Sequence, residues 1–327
     1  SKMNNVYLFV RSLKRSIWNF LDLPKESFDF GLNFAWQNLW IKVKLGDVYK
    51  RQRDERKHRL ILGYLRKRFP EIMKEIHETP LLYDGEPVKK IWVFWWQGLQ
   101  NAPEIVKKCR EILKRENYGK YEIVEVNKDN YNNYCTIPQS ILTLLDTGKI
   151  TVTQFSDMLR ACLLYENGGI WIDSTVLTLH PADTKIIQYP FYTIHLDKPD
   201  DGTVAKFKIS GFFLASKKGN TYMKLLRDFM FAYWEKQNLL IDYLLIDYCM
   251  ILITQENQEY AELLNSVPLN NSNVHSLREH INDEYDMKEW NSITKDTNFF
   301  KLSYKIELSQ TSYAGKLTNY HYILNKL

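Results

Sequence analysis

The sequence predicts an α/β protein: a mostly parallel sheet flanked by helices, preceded by a helical subdomain. Three observations carry this. Residues 88–96 form a near-continuous apolar run, residues 101–116 a helical pattern, and residues 121–126 an alternating run. Strand, helix, strand in that order is a βαβ unit, whose strands run parallel. Residues 154–167 then place Phe155, Met158, Leu159, Cys162, Leu163 and Tyr165 at helical spacing, stop at Gly168-Gly169, and resume as a β-run over 170–179. The first 80 residues, in contrast, show only helical periodicity.

In that first segment Val6, Phe9, Val10, Leu13, Ile17, Phe20 and Leu21 recur at helical spacing, and Pro24 is expected to end the helix. A second apolar patch spans 28–45, and a charge-dense stretch, 50–59, leads into a third helical pattern over 60–76. The turn-rich residues 79–87 (TPLLYDGEP) set the boundary between an N-terminal subdomain, 1–82, and a main domain, 83–327. There, Gln97-Gly98 closes the first strand, and Asn101 is expected to cap the next helix with Pro103 in its first turn. A further helix covers 137–148. Strands are expected at 191–196 and at 208–216, the second with Gly211 inside it. A turn at 197–201, helices at 220–234 and 239–254, a polar loop at 270–280 and closing strands at 302–308 and 320–324 complete the chain.

The four cysteines lie far apart without a CxxC pair, which argues against a zinc module and a disulfide scaffold and suits a reducing compartment. No apolar run approaches the roughly 20 residues of a membrane span, and no signal-peptide pattern opens the chain. The expected location is therefore cytoplasmic, or peripheral on the inner face of the plasma membrane. Residues 1–80 hold 17 Lys and Arg against 9 Asp and Glu, whereas the remainder is slightly acidic. Basic residues interleaved with aromatics suit contact with an anionic membrane surface. The plainer alternative is a helical layer packed on the main domain with its charges solvated. No nucleic-acid motif accompanies the basic residues, so no nucleic-acid partner is expected. G-x-S-x-G, Walker and H-E-x-x-H patterns are absent, which leaves hydrolase and kinase readings without an anchor.

Asp157 and Arg160 lie three apart and share a helix face, and the Gly-Gly turn brings that face back towards Asp173 near the strand end. Two aspartates and an arginine at one corner suit a charged ligand such as a diphosphate with a divalent metal. Ligands of parallel sheets bind beyond the strands' carboxyl ends, which puts Trp96 and Gln97 at the same edge as Asp173. Each residue also has a structural alternative: Asp173 capping a turn, Asp157 meeting the helix dipole, Arg160 in an intrahelical ion pair. Asp242 and Asp247 sit in a strongly apolar stretch, IDYLLIDY, and need partners there.

The pattern S-D-x-x-R-x-x-x-L-Y-x-x-G-G-I-W-x-D, together with Ile91-Trp92-Val93-Phe94-Trp95-Trp96-Gln97-Gly98, resembles a group of glycosyltransferases. The group includes yeast-type mannosyltransferases, the sugar-transferring domains of clostridial toxins and, nearest in wording, bacterial capsular polysaccharide synthesis proteins. The resemblance covers about residues 88–304. It implies the Rossmann-like GT-A fold and retaining transfer of a hexose, galactose or a related sugar, from a UDP-sugar to a lipid-linked oligosaccharide. It also implies a divalent metal, Mn²⁺ or Mg²⁺. By this resemblance Asp157 contacts sugar or ribose hydroxyls, Arg160 the diphosphate, and Ile172, Asp173, Ser174, Ser210 and Gly211 the nucleotide sugar, with a β-bulge the alternative for Ser210-Gly211; Trp96 and Gln97 are placed to stack on and hydrogen-bond the base, and Trp171 suits a ligand wall or the core. The group's Asp-x-Asp metal grip reads Asp173-Ser174-Thr175 here. A hydroxyl of Thr175 or Ser174 and a further ligand, His275 or else His321, are expected to complete it. The missing second aspartate keeps a catalytically silent sugar-nucleotide-binding or scaffold protein open as the rival class. A transferase that inverts, or that acts on a non-polysaccharide acceptor, is the other.

Overall fold

A computed structural model describes the backbone of residues 2–45, 50–198 and 202–327, and side chains from residue 14 onward within those ranges except 44 and 45. Among the described residues seven strands form: β1 (Lys90–Phe94), β2 (Glu122–Val126), β3 (Gly169–Ile172), β4 (Val176–Thr178), β5 (Phe191–Thr193), β6 (Phe213–Ser216) and β7 (Phe299–Lys301). The central sheet has the order β2-β1-β3-β6-β5. β1 pairs in parallel with β2 and β3, and β6 runs antiparallel to β3 and to β5. Four of the five strands therefore point the same way, so the sheet is mostly parallel but mixed. β4 and β7 form a separate antiparallel ribbon, with Val176 opposite Lys301.

The elements follow from local chemistry. The helix Val152–Asn167 opens with a reciprocal cap: Thr151 Oγ1 accepts from the Gln154 amide, and Gln154 Oε1 accepts from the Thr151 amide. Its buried face holds Phe155, Met158, Leu159, Cys162 and Leu163. Gly168 ends it at φ +73° and Gly169 follows at φ +108°, conformations that side chains with a Cβ rarely adopt. The chain thereby reverses directly into β3, all four residues of which are buried.

Among the N-terminal helices, Lys50–Arg68 and Pro70–Glu78 are joined to the sheet layers. Leu65, Phe69 and Ile76 are fully buried in the same apolar core as β1 and β3. Phe69 packs against the rings of Phe229 and Tyr233. Asp29, near the end of the long helix Lys2–Phe30, accepts from the amides of Asn238 and Leu239. The helix Leu32–Trp40 and the π-helical turn Ile41–Leu45 lie between. No helix among the described residues is long and apolar enough to cross a membrane.

Several expected boundaries are corrected. Pro24 does not end the first helix, which runs through it to Phe30. Proline removes one helical hydrogen bond, and here the turns on either side persist. Pro103 precedes the helix Glu104–Glu116 rather than lying inside it, and Asn101 closes a 3-10 turn whose side chain donates to Gln97 O. The β-run at 170–179 breaks at Asp173 into β3 and β4. Gly211 lies in the turn before β6 instead of inside a strand. The closing strand is β7 rather than 302–308, and residues 320–324 belong to a helix, Asn319–Lys326, because Thr318 caps it by accepting from the His321 amide. The side chains of Val6, Phe9, Val10 and Leu13, and positions 199–201 of the expected turn, lie outside the described residues.

Candidate functional site

β1 and β3 are parallel neighbours, so the residues after each, Trp95 to Gln97 and Asp173 to Thr175, emerge at one sheet edge. There the chain forms a cleft of about 460 Å³, within the range of small-ligand sites. Trp96, Gln97, Arg160, Trp171, Asp173, Ser174 and Thr175 line it.

Asp173 stands at the centre. Its Oδ1 accepts from Trp171 Nε1 at 2.8 Å and lies 3.6 Å from Arg160 Nη1. Its Oδ2 accepts from Lys301 Nζ at 3.0 Å, and the same ammonium donates to Thr175 Oγ1 at 2.5 Å. Burial would raise the Asp173 carboxyl, but Lys301 and Arg160, helped by the Trp171 hydrogen bond, hold it below its ordinary value.

Arg160 is buried, with its guanidinium 4.8 Å from the Trp171 ring centroid. Its donors are directed inward: Nε to Ser156 O, Nη2 to Ser156 Oγ and Asp157 Oδ1, Nη1 to Gly211 O. The planar fork thus ties the helix Val152–Asn167 to the turn before β6 and holds both aspartates. Asp157 keeps 20% of its side-chain surface exposed and lies 3.0 Å from Arg160. Burial, reinforced by the charge of Asp173, pushes its carboxyl up to about 6 despite Arg160. Two neighbouring carboxylates are thereby driven apart, one ionised well below neutrality and one titrating near it.

Other expected residues fall differently. Trp96 packs beside Tyr131 and Phe155 at the mouth. Ile172 is fully buried opposite Phe213, outside the lining. Ser210 is buried, with Oγ donating to Ile194 O and its amide to Thr193 Oγ1; Gly211 contributes its carbonyl to Arg160. Asp242 pairs with Lys57 at 3.2 Å, and Asp247 is buried in the first turn of the helix Leu245–Glu256.

The side chains at this corner do not by themselves form a cage for a divalent ion. His275 packs edge-on to Phe212 at 5.7 Å, Lys301 lies over the same ring, and His275 is not part of the lining. His321 is engaged with Gln310 on the C-terminal helix. Among the described residues no three His, Cys, Asp or Glu side chains are grouped to hold a metal. Asp173 Oδ2 and the Thr175 hydroxyl are both taken by an ammonium. A dication about 4 Å from that ammonium would be repelled by roughly 8 kcal/mol at an effective dielectric of 20, which offsets part of its attraction to Asp173.

Lys301, Arg278, Lys305, Tyr243 and Tyr304 carry no functional signal in the sequence, and Trp95 lies within the apolar run 88–96. All line the cleft, and Trp95 meets Tyr304 edge-to-face at 5.4 Å. Among the described residues the lining holds four cationic side chains, Arg160, Arg278, Lys301 and Lys305, and one carboxylate, Asp173. No local motif marks Lys301, Tyr304 or Lys305, because the β7 region reaches the cleft through pairing with β4.

The profile of the capsular polysaccharide synthesis protein family matches residues 42–322, reaching into the N-terminal helices beyond the motifs. The chain is also similar to Glycosyltransferase afumC of Aspergillus fumigatus (strain CBS 144.89 / FGSC A1163 / CEA10), with 24% identity over 180 residues. That similarity covers 50% of this chain and 45% of the relative, so the chain spans less than half of that protein's length. With 281 of its 327 residues inside the matched range, and with the two ordered motifs meeting at a single cleft, the chain belongs to the capsular polysaccharide synthesis protein family.

Proposed function

We propose that the chain is a retaining glycosyltransferase of GT-A type that moves a hexose from a UDP-sugar to a lipid-linked oligosaccharide in surface polysaccharide synthesis. The carrying observation is the cationic cleft around Asp173 at the carboxyl ends of β1 and β3. A nucleoside diphosphate is the ligand class that suits a cleft lined by Lys301, Arg278 and Lys305 and bordered by Trp96. Family membership and the similarity to a named glycosyltransferase support the same reading.

In the transfer, the bond between the anomeric carbon and the diphosphate oxygen breaks and its electron pair leaves with UDP. The acceptor hydroxyl oxygen bonds the same carbon from the same face, and its proton passes to the departing phosphate oxygen. This route suits the site because the one lining carboxylate, Asp173, has both oxygens held by donors and is a poor covalent nucleophile. Asp157, partly exposed though outside the cleft lining, orients sugar hydroxyls as an acceptor, and Arg160 acts as a positioning residue that holds both aspartates. The test is turnover of a nucleotide-sugar panel with membrane-extracted acceptors, read by anomeric-proton NMR of the product. An inverted anomer overturns retention, and silence across the whole panel overturns the enzyme reading.

The Asp157 carboxyl at about 6 sets a pH dependence. Its ionised form accepts the sugar hydroxyls, so kcat/KM falls as pH drops below about 6, approaching tenfold per pH unit. Asp157→Asn flattens that limb; a limb unchanged in the variant removes Asp157 from this role. The effect on folding runs in the opposite sense. Between the ordinary aspartate value and about 6 the native state keeps a proton that the unfolded chain has released, so this group's contribution to stability declines as pH rises through that window.

The N-terminal helices are the proposed membrane contact. Trp18, Phe28, Leu32, Trp36 and Trp40 are exposed, and a groove of about 1080 Å³ carries Phe30, Trp36 and Trp40 beside Arg56, Arg59 and Lys67. Because Leu65, Phe69 and Ile76 belong to the common core, point changes test this better than truncation. Trp18→Glu with Phe28→Glu lowers partition onto vesicles rich in anionic lipid by at least about tenfold, since each buried aromatic is worth roughly 1.5–3 kcal/mol. Equal partition of variant and parent in sedimentation assays eliminates this surface.

A further inference from the structure

We infer that Lys301 replaces the divalent cation, so that the cleft binds a nucleoside diphosphate and supports its departure without metal. This deepens the transferase reading above and rests on it.

Lys301 is the last residue of β7 and is fixed on both sides. Its amide donates to Val274 O at 2.8 Å, and the next amide, of Leu302, donates to Thr175 O at 2.9 Å. The side chain therefore starts from an anchored backbone and reaches Asp173 and Thr175 across the β4–β7 ribbon. Its ammonium has three donors. One goes to Asp173 Oδ2 and one to Thr175 Oγ1, and among the described residues the third meets no acceptor. That donor belongs to a group lining the cleft, beside Arg278 and Lys305.

Thr175 is what makes the exchange self-consistent. A second carboxylate at position 175 would leave beside Asp173 a negative charge that Lys301 alone cannot balance, which favours a dication. One carboxylate and one hydroxyl are balanced by a single ammonium: the carboxylate takes its charge and the hydroxyl accepts a second hydrogen bond. A lone neutral hydroxyl adds little to the grip on Mg²⁺ or Mn²⁺, which are held mainly by carboxylate and phosphate oxygens. With Asp173 already neutralised, Arg278 and Lys305 meet the diphosphate. The third Lys301 donor meets the phosphate oxygen on which charge grows as the bond to the sugar breaks. The ammonium keeps its proton throughout, so the role is electrostatic.

The test uses the full chain stripped of metal. Donor turnover and UDP binding by calorimetry are measured in EDTA and in Mn²⁺, for the parent, for Lys301→Met and for the double variant Lys301→Ala with Thr175→Asp. The parent is expected to bind and turn over equally in both buffers. Lys301→Met loses about 10²–10³-fold in turnover in both, the order seen when one oxyanion donor is removed. The double variant recovers turnover only with Mn²⁺, a response that a merely structural lysine would not give; thermal melts report whether each variant is folded. Parent turnover abolished by EDTA and restored by Mn²⁺ overturns the inference and leaves the transferase reading standing. Neither binding nor turnover in either buffer overturns both.

Discussion

Asparagine at position 173 lowers donor turnover by about 10²–10³-fold while the protein still folds. The argument is one of donors and acceptors. Asp173 accepts from Trp171 Nε1 and Lys301 Nζ and faces Arg160 Nη1, so every neighbour of its carboxylate is a donor or a cation. An asparagine keeps the shape but turns one oxygen into an NH₂ group, which must then face one of those donors. The favoured loss is the contact with Lys301, the more exposed of the two cations, because Trp171 is locked in the core at 1% exposure. Freed from Asp173, the ammonium no longer stands at a fixed point in the cleft. Arg160 retains Asp157, Ser156 and Gly211 as partners, so the corner stays assembled. Circular dichroism checks the fold and single-turnover kinetics checks the chemistry. Parent-like turnover from Asp173→Asn would remove Asp173 from the reaction.

The second large effect falls on stability. Gly169→Ala destabilises the chain by about 3 kcal/mol or more, since a φ of +108° is strained for any L side chain. Space is also lacking: a Cβ there lies 2.6 Å from Lys90 O and 3.1 Å from Trp92 Nε1. The obstruction is backbone of the neighbouring strand, which cannot swing aside without breaking the pairing of Ile91 with Ile170 and Trp92 with Trp171. Because that pairing carries Asp173 to the sheet edge, activity and stability fall together. A thermal midpoint lower by roughly 5 °C or more is expected, and a midpoint unchanged by the substitution would show that the turn relaxes freely.

The sequence by itself determined the βαβ opening, the helix Val152–Asn167, the reversal at Gly168-Gly169 and the meeting of Asp157, Arg160 and Asp173. All of these are short-range consequences of side-chain periodicity and of two residues that lack a Cβ. Trp171 carried less information, since an indole suits both a ligand wall and a core; in the fold it is buried, borders the cleft and donates to Asp173. Pro24 and the 320–324 stretch misled because local propensity yields to neighbouring turns in one case and to the Thr318 cap in the other. Only the tertiary structure decided what stands opposite Asp173. Lys301 is 128 residues away in sequence and arrives because β7 pairs with β4. Strand pairing over such a distance is set by the packing of the whole core, and no spacing along the chain records it. The charge balance at the cleft, and with it the choice between a metal ion and an ammonium, belongs to the folded molecule alone.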